Sequence, residues 1–289
     1  MRIGAISEVW RYPVKSMGGE RLDEAVVTAS GLAGDRGWAV RDRAAQEIRG
    51  AKRIPTLLLC SARYLSEPEP GGGATPVELT LPDGSVLRDD APELAERLSD
   101  AMQRELSLEP LRPAEDLDHY RSGPRDPDGD PRADAFTIMG LEEGDEFPDL
   151  SGLPAEGRGF ATFPGTYFDA FPLHLLTTAS LAEARRLSPE TDFDVRRFRP
   201  NLLIEPDDGA PGFVEFDWTG ANLHLGEVVV HIETTTVRCS MPMHAQASLE
   251  ASREVLRTLI EHSGQHLGVY ASVVTPGTVR AGDEVTIER

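Results

Sequence analysis

Apolar and polar residues alternate from Ile3 to Tyr12 with the period of a half-buried β-strand, and the pattern returns at residues 24–28, 38–42 and 57–59. Gly- and Asp-containing turns separate these stretches. A hairpin is predicted where residues 77–81 and 85–87 flank Pro82-Asp83-Gly84, whose proline presets one turn dihedral and whose glycine tolerates a positive one. Over residues 92–106 the period lengthens: Leu94, Leu98, Met102 and Leu106 recur every fourth position along roughly one helix face.

The second half predicts strands at residues 173–177, 202–205, 227–232, 268–274 and 285–287, with helices at 180–186 and 248–262. Ser180 and Glu183 make a capping box if Ser180 is the N-cap. Between residues 114 and 149 periodicity lapses into 12 acidic and three basic residues with prolines and glycines, a composition that predicts a linker or mobile loop. Asp126, Asp128 and Asp130 there imitate the start of a calcium loop, but Pro131 stands where the sharp turn needs Gly, and Thr137 where a bidentate Glu is needed. Gly152, Pro154, Gly157, Gly159, Pro164 and Gly165 predict a flexible flap.

Composition narrows the functional classes. The 289 residues, 39% hydrophobic and 27% charged, suffice for one or two domains with full cores. No stretch nears the roughly 18 apolar residues of a membrane span, and residues 1–20 lack a signal peptide's apolar segment. A soluble, cytoplasmic protein is expected. Its net charge of −20 repels nucleic-acid phosphates and anionic lipid, so neither nucleic acid nor membrane is an expected partner. Two cysteines, Cys60 and Cys239, are too few for a four-thiolate iron–sulfur cluster or a disulfide framework. Redox chemistry would need another centre.

Four segments concentrate polar residues at strand ends: Arg11-Tyr12-Pro13-Val14-Lys15-Ser16, Gly34-Asp35-Arg36, Phe198-Arg199-Pro200-Asn201 and Thr236-Val237-Arg238-Cys239. In so acidic a chain, Lys and Arg set against Ser, Asn and backbone amides predict local anion sites. Only two lysines occur, Lys15 and Lys52, among 29 basic residues, which singles them out. Arg238 favours a thiolate at Cys239, but a lone Arg-Cys pair is weak evidence, and by itself Cys239 reads first as a packed, structural thiol. Cys60, after three leucines, reads as buried. Asp35-Arg36 is open to a second reading as a turn with an internal ion pair. The seven histidines show no metal spacing, and His244, close to Cys239, is the one to watch.

Taken in order, these segments resemble the MOSC family, named for molybdenum cofactor sulfurase C-terminal domains, and within it the members that join an N-terminal β-barrel domain to the MOSC domain, such as the amidoxime-reducing components. Tyr12-Pro13-Val14-Lys15-Ser16, Gly31-Leu32 and Gly34-Asp35-Arg36-Gly37-Trp38 look like the N-terminal signature. Phe198-Arg199-Pro200-Asn201, Arg238-Cys239, Pro276-Gly277 and Gly282-Asp283 look like the MOSC part.

The resemblance implies an α+β, predominantly β protein with two β-barrel-like domains and a few short helices: residues 1–113, a linker and flap at 114–168, and a MOSC domain at 169–289. It implies a molybdenum cofactor, molybdopterin with Mo, whose metal takes Cys239 as its protein ligand; soft thiolate sulfur suits such a centre. Lys15, Ser16, Arg36, Arg199, Asn201 and Arg238 would grip the pterin phosphate and polar edges, with Asp169 and Tyr270 as less strict matches. Lys52 falls where amidoxime-reducing members often carry arginine, keeping the charge and losing the planar fork. Ser240-Met241-Pro242-Met243-His244 replaces the family's frequent Thr-x-x-Asp-Pro. The implied activity is reduction of a small-molecule N-hydroxylated or N-oxide substrate, with electrons from a separate ferredoxin, flavoprotein or cytochrome. Two alternatives stand beside it: a sulfur carrier using a persulfide on Cys239, and a non-catalytic pterin- or phosphate-binding protein. Pyridoxal phosphate is disfavoured, since Lys15 and Lys52 are the only amines that could form its aldimine.

Overall fold

A computed structural model describes residues 1–71, 74–124, 127–154, 159–207, 209 and 211–288; Asp126 and Gly157, named above, lie outside them. Strand accounts for 33% of the chain and helix for 21%, which makes the protein predominantly β as expected. Seven strands close into a barrel: β1 (Arg2–Arg11), β2 (Leu173–Thr177), β3 (Leu202–Pro206), β4 (Asn222–Leu225), β5 (Val228–Val237), β6 (His266–Thr275) and β7 (Glu284–Glu288). Their hydrogen-bonded order is β1, β3, β2, β6, β5, β4, β7 and back to β1. Only β2 and β3 run parallel; the other neighbours are antiparallel.

Period-two patterning explains the closure. Leu173 and Leu175, Leu202 and Ile204, Val228, Val230 and Ile232, and Val285 and Ile287 point inward and form one buried core. The alternate residues Leu176 and Leu203 face outward and pack, with Leu267, against the helices Thr178–Leu187 and Glu254–Ser263 around Phe193 and Phe198. β1 comes from the extreme N-terminus yet supplies the ladder that joins β3 to β7, with Val9 opposite Leu202 and Arg2 opposite Thr286.

A second core gathers Val14, Met17, Trp38, Val40, Leu57, Cys60, Leu79, Leu98 and Leu106 under smaller sheets. Cys60 is 1% exposed there, and burial pushes its thiol up to about 12, in line with its reading as a structural residue. Among the described residues, no helix is long and apolar enough to cross a membrane.

Several expected elements shift. Residues 57–59 belong to a 3-10 helix, Pro55–Leu59, because Pro55 starts a tight turn that an apolar run alone does not reveal. The helix over 92–106 covers only Leu94–Met102; Gln103 turns left-handed at φ 53°, and Leu106 opens a strand, Leu106–Pro110, against Trp38–Asp42. Thr177, not Ser180, caps the next helix, accepting the Ser180 N–H, while the Ser180 hydroxyl donates to the buried carboxyl of Glu215. β5 runs five residues past the expected 232 because register shifts near Ile232 break the simple alternation. The acidic stretch includes two helices, Leu117–Tyr120 and Pro131–Met139.

Candidate functional site

The chain leaves β1 and runs beside the Gly34–Trp38 turn: Tyr12 O accepts from Arg36 N at 2.7 Å, and Lys15 N donates to Trp38 O at 2.8 Å. Those bonds carry Lys15, Ser16 and Arg36 to the end of the barrel where Arg199, between Phe198 and β3, and Cys239, just beyond β5, also arrive. Ser16, Arg36 and Arg199 adopt left-handed backbone conformations, with φ of 69°, 52° and 55°. Such conformations cost of order 1 kcal/mol each for non-glycine residues, and three meeting at one place mark a strained, pre-shaped site.

All ten residues singled out from the sequence line one cavity of about 240 Å³: Lys15, Ser16, Arg36, Lys52, Asp169, Arg199, Asn201, Arg238, Cys239 and Tyr270. Lys15 is buried and donates to Tyr167 O at 2.8 Å and to Asp169 Oδ1 at 2.7 Å. Burial draws its pKa down, and Asp169 offsets part of that. The other Asp169 oxygen takes Lys52 at 3.3 Å. Burial alone would raise the Asp169 carboxyl, but the two lysines outweigh it and hold it well below the usual carboxylate range. Lys52 is in turn raised, chiefly by Asp169.

The guanidiniums are held differently. Arg36 pairs with Asp35 and faces the rings of Tyr12 and Phe168 at 5.2 and 5.8 Å. Arg199 lies 4.1 Å over the Tyr12 ring and donates to Met17 O; burial pulls its pKa down to about 10, leaving it a cation at neutral pH. Arg238 Nη2 donates to Phe198 O at 2.9 Å. Both Arg199 Nη2 and Arg238 Nε are buried without a hydrogen-bond partner among the described residues. An orphaned cationic N–H is expensive, so both arginines are suited to an anionic acceptor. Cys239 is a free, partly exposed thiol on the same cavity.

Asn201 and Ser16 also bond within the protein. Asn201 Nδ2 donates to Asp35 Oδ2 at 3.0 Å, and its Oδ1 accepts His174 N at 3.1 Å. Ser16 Oγ accepts Ala51 N at 2.9 Å. Asp35, open to a bland reading as a turn residue, proves to be a hub: it also accepts Tyr12 N at 2.8 Å, and so ties Arg36 and Asn201 to β1.

Sequence reasoning missed His174. It lines the cavity, whereas His244 is absent from the described lining. Burial, then Arg238, holds the His174 imidazole well below its ordinary pKa, so it is neutral and faces Arg238 Nη1 with Nε2 at 3.5 Å. The available signal was a single imidazole within the apolar run Leu173–Leu176.

Profiles of known families match most of the chain. The MOSC domain profile covers residues 164–286, and the MOSC N-terminal beta barrel domain profile covers residues 3–120. The mitochondrial amidoxime reducing component 2 of Bos taurus is 25% identical over 98% of this chain and 83% of its own length. The mitochondrial amidoxime-reducing component 1 of Homo sapiens is 24% identical over the same shares. Among solved structures, the YUAD protein of Bacillus subtilis aligns over 99% of this chain and 96% of its own, at 11% identity and a TM-score of 0.46.

Proposed function

The chain belongs to the MOSC family, its MOSC domain preceded by the family's N-terminal beta barrel domain, and from that premise we propose that it binds a molybdenum–pterin cofactor and reduces N-hydroxylated compounds, amidoximes among them. The observation that carries this reading is the meeting of five cations with one soft sulfur: Lys15, Arg36, Lys52, Arg199 and Arg238 share a cavity with Cys239. The donor set fits the group. Two buried guanidinium N–H groups have no acceptor among the described residues, and a phosphate or pterin edge would supply one. Among the described residues no cluster of His, Cys, Asp and Glu could hold a metal unaided, so a metal at Cys239 would bring its other ligands with it.

In this reading Cys239 is the metal's protein ligand. Lys15, Lys52, Arg36, Arg199 and Arg238 neutralise and orient the cofactor's anionic groups, with Ser16, Asp169 and Tyr270 beside them. Asn201 and Asp35 act as positioning residues, because their side chains are spent on Arg36, Tyr12 and the His174 backbone. When bound, the cofactor supplies the two-electron redox chemistry that the side chains lack. Overall, an N–OH group, two electrons and two protons give N–H and water. The electrons come from a redox partner of ferredoxin, flavoprotein or cytochrome type.

The direct test is anaerobic turnover. Protein produced in a host that makes the molybdenum cofactor, reduced with dithionite and methyl viologen, converts benzamidoxime to benzamidine if the reading holds. Metal-loaded protein that leaves the amidoxime intact overturns it.

A further inference from the structure

Among the described cavity-lining residues, Met139, Leu150 and Leu153 alone lie outside both matched family ranges, and all three are apolar. The cations and the sulfur all come from within those ranges. The matched ranges therefore build the polar part of the site, and the segment between them adds apolar surface.

That surface is fixed next to the sulfur. Gln265 Nε2 donates to Met139 O and to Arg238 O, both at 2.8 Å, and Ser240 N donates to Ile138 O at 2.9 Å. The segment thus runs alongside the residues on either side of Cys239. Farther on, Asp145 accepts two bonds from Arg257 at 2.8 and 2.9 Å, and Glu142 pairs with Arg253, so the helix Glu254–Ser263 anchors it. Leu150 and Leu153 form a turn closed by a 3.0 Å bond from Leu153 N to Leu150 O. Gly152 between them lies so close to β5 that a Cβ would stand 2.3 Å from Thr234 Oγ1. The apolar wall is preformed, and a ligand resting on it need not order the loop.

We propose that Met139, Leu150 and Leu153 are specificity-determining: they receive the body of the substrate while its N–OH group faces Cys239, and so favour amidoximes with an aryl body over those with a small alkyl body. The inference rests on the function proposed above. An apolar pocket discriminates about 10- to 200-fold per methylene-sized difference, and a phenyl ring differs from a methyl group by more than that.

The test uses metal-loaded protein with benzamidoxime and acetamidoxime, which share the reacting group and differ in the body. The wild type shows a KM for benzamidoxime at least about tenfold below that for acetamidoxime. In the double variant Leu150→Asn, Leu153→Asn the ratio of the two KM values collapses by about tenfold, and the Kd of benzamidoxime for the oxidised, non-turning-over enzyme rises by a similar factor. Leu150 is 37% exposed, so the single Leu150→Asn variant keeps the fold and shows the same direction if the double variant does not fold. An unchanged KM ratio in variants that retain molybdenum overturns the inference while leaving the functional reading intact. If loaded wild-type protein reduces neither amidoxime, the functional reading fails and takes this inference with it.

Discussion

Lys15 Nζ lies 2.7 Å from Asp169 Oδ1, and the second Asp169 oxygen takes Lys52, so both lysines of an arginine-rich chain converge on one carboxylate. Asp169 is the counter-charge that lets a buried ammonium persist in a cavity already crowded with guanidiniums.

Asp169→Asn therefore leaves Lys15 buried among like charges. Breaking a fully buried pair costs about 3–5 kcal/mol, but the Asp169 side chain is 40% exposed, and solvent screening brings the expected loss to about 1–2 kcal/mol. Urea denaturation at neutral pH measures it.

The pH dependence has one sign in two separate windows. Asp169 titrates lower in the folded chain than in the unfolded one, so its contribution is present above the ordinary carboxylate pKa of about 3.9 and is lost as pH falls through its depressed folded value. Lys15 is also lowered, which for a base makes its charged form a penalty on folding; stability rises as pH climbs from its folded pKa toward about 10.4. The stability difference between Lys15→Met and wild type, read from urea midpoints, therefore shrinks as pH climbs across that range, because other alkaline titrations such as that of Cys60 are common to both proteins.

Arg238→Lys keeps a positive charge but not the geometry that reaches Phe198 O and His174 together. A lost charge-assisted bond is worth about 1.5–3 kcal/mol, so cofactor retention through gel filtration falls by about tenfold or more, with the circular dichroism spectrum unchanged. Equal retention in the two proteins would remove Arg238 from the binding set.

Gly268→Ala strikes the site through β6. The residue sits at φ 82°, and a Cβ would stand 2.3 Å from His174 Nε2 and 2.7 Å from Leu175 O. Both the backbone conformation and the space refuse a side chain, and the expected destabilisation is about 2–4 kcal/mol. Chemical denaturation reads it.

The two thiols separate by accessibility. Cys60 is 1% exposed with its thiol pushed up to about 12, whereas Cys239 opens onto the cavity. Iodoacetamide under native, mildly alkaline conditions labels Cys239 alone in cofactor-free protein, and peptide mass spectrometry checks the position. Labelling of Cys60 at a comparable rate would contradict the burial.

Much of the candidate site was legible because its residues fall into short polar segments that interrupt strand patterning: Tyr12 to Ser16, Gly34 to Arg36, Phe198 to Asn201 and Arg238-Cys239 all arrive at one cavity. His174 was not legible, because a buried imidazole in Leu173–Leu176 reads as an ordinary core position until Arg238 is seen beside it. Met139 was hidden in an acidic stretch that read as a linker or mobile loop, and Leu150 and Leu153 at the start of the Gly- and Pro-rich flap, where neither periodicity nor charge marks a cavity wall. Leu106 misled for a geometric reason: it continues a four-residue spacing, yet one left-handed residue at Gln103 moves it from the helix into a strand. Closure of the barrel by β1 depends on pairing Val9 with Leu202, a contact between residues so distant in sequence that periodicity carries no trace of it.

If Cys239 holds the metal of a pterin cofactor clasped by the surrounding cations, molybdenum content depends on that one thiol. Metal analysis of wild type and Cys239→Ser, purified from a cofactor-producing host, tests it most directly. About one molybdenum atom per wild-type chain is expected and below about a tenth of that in the variant, with both proteins equally folded. Wild-type protein that carries no molybdenum, or carries only a labile extra sulfur on Cys239, contradicts it.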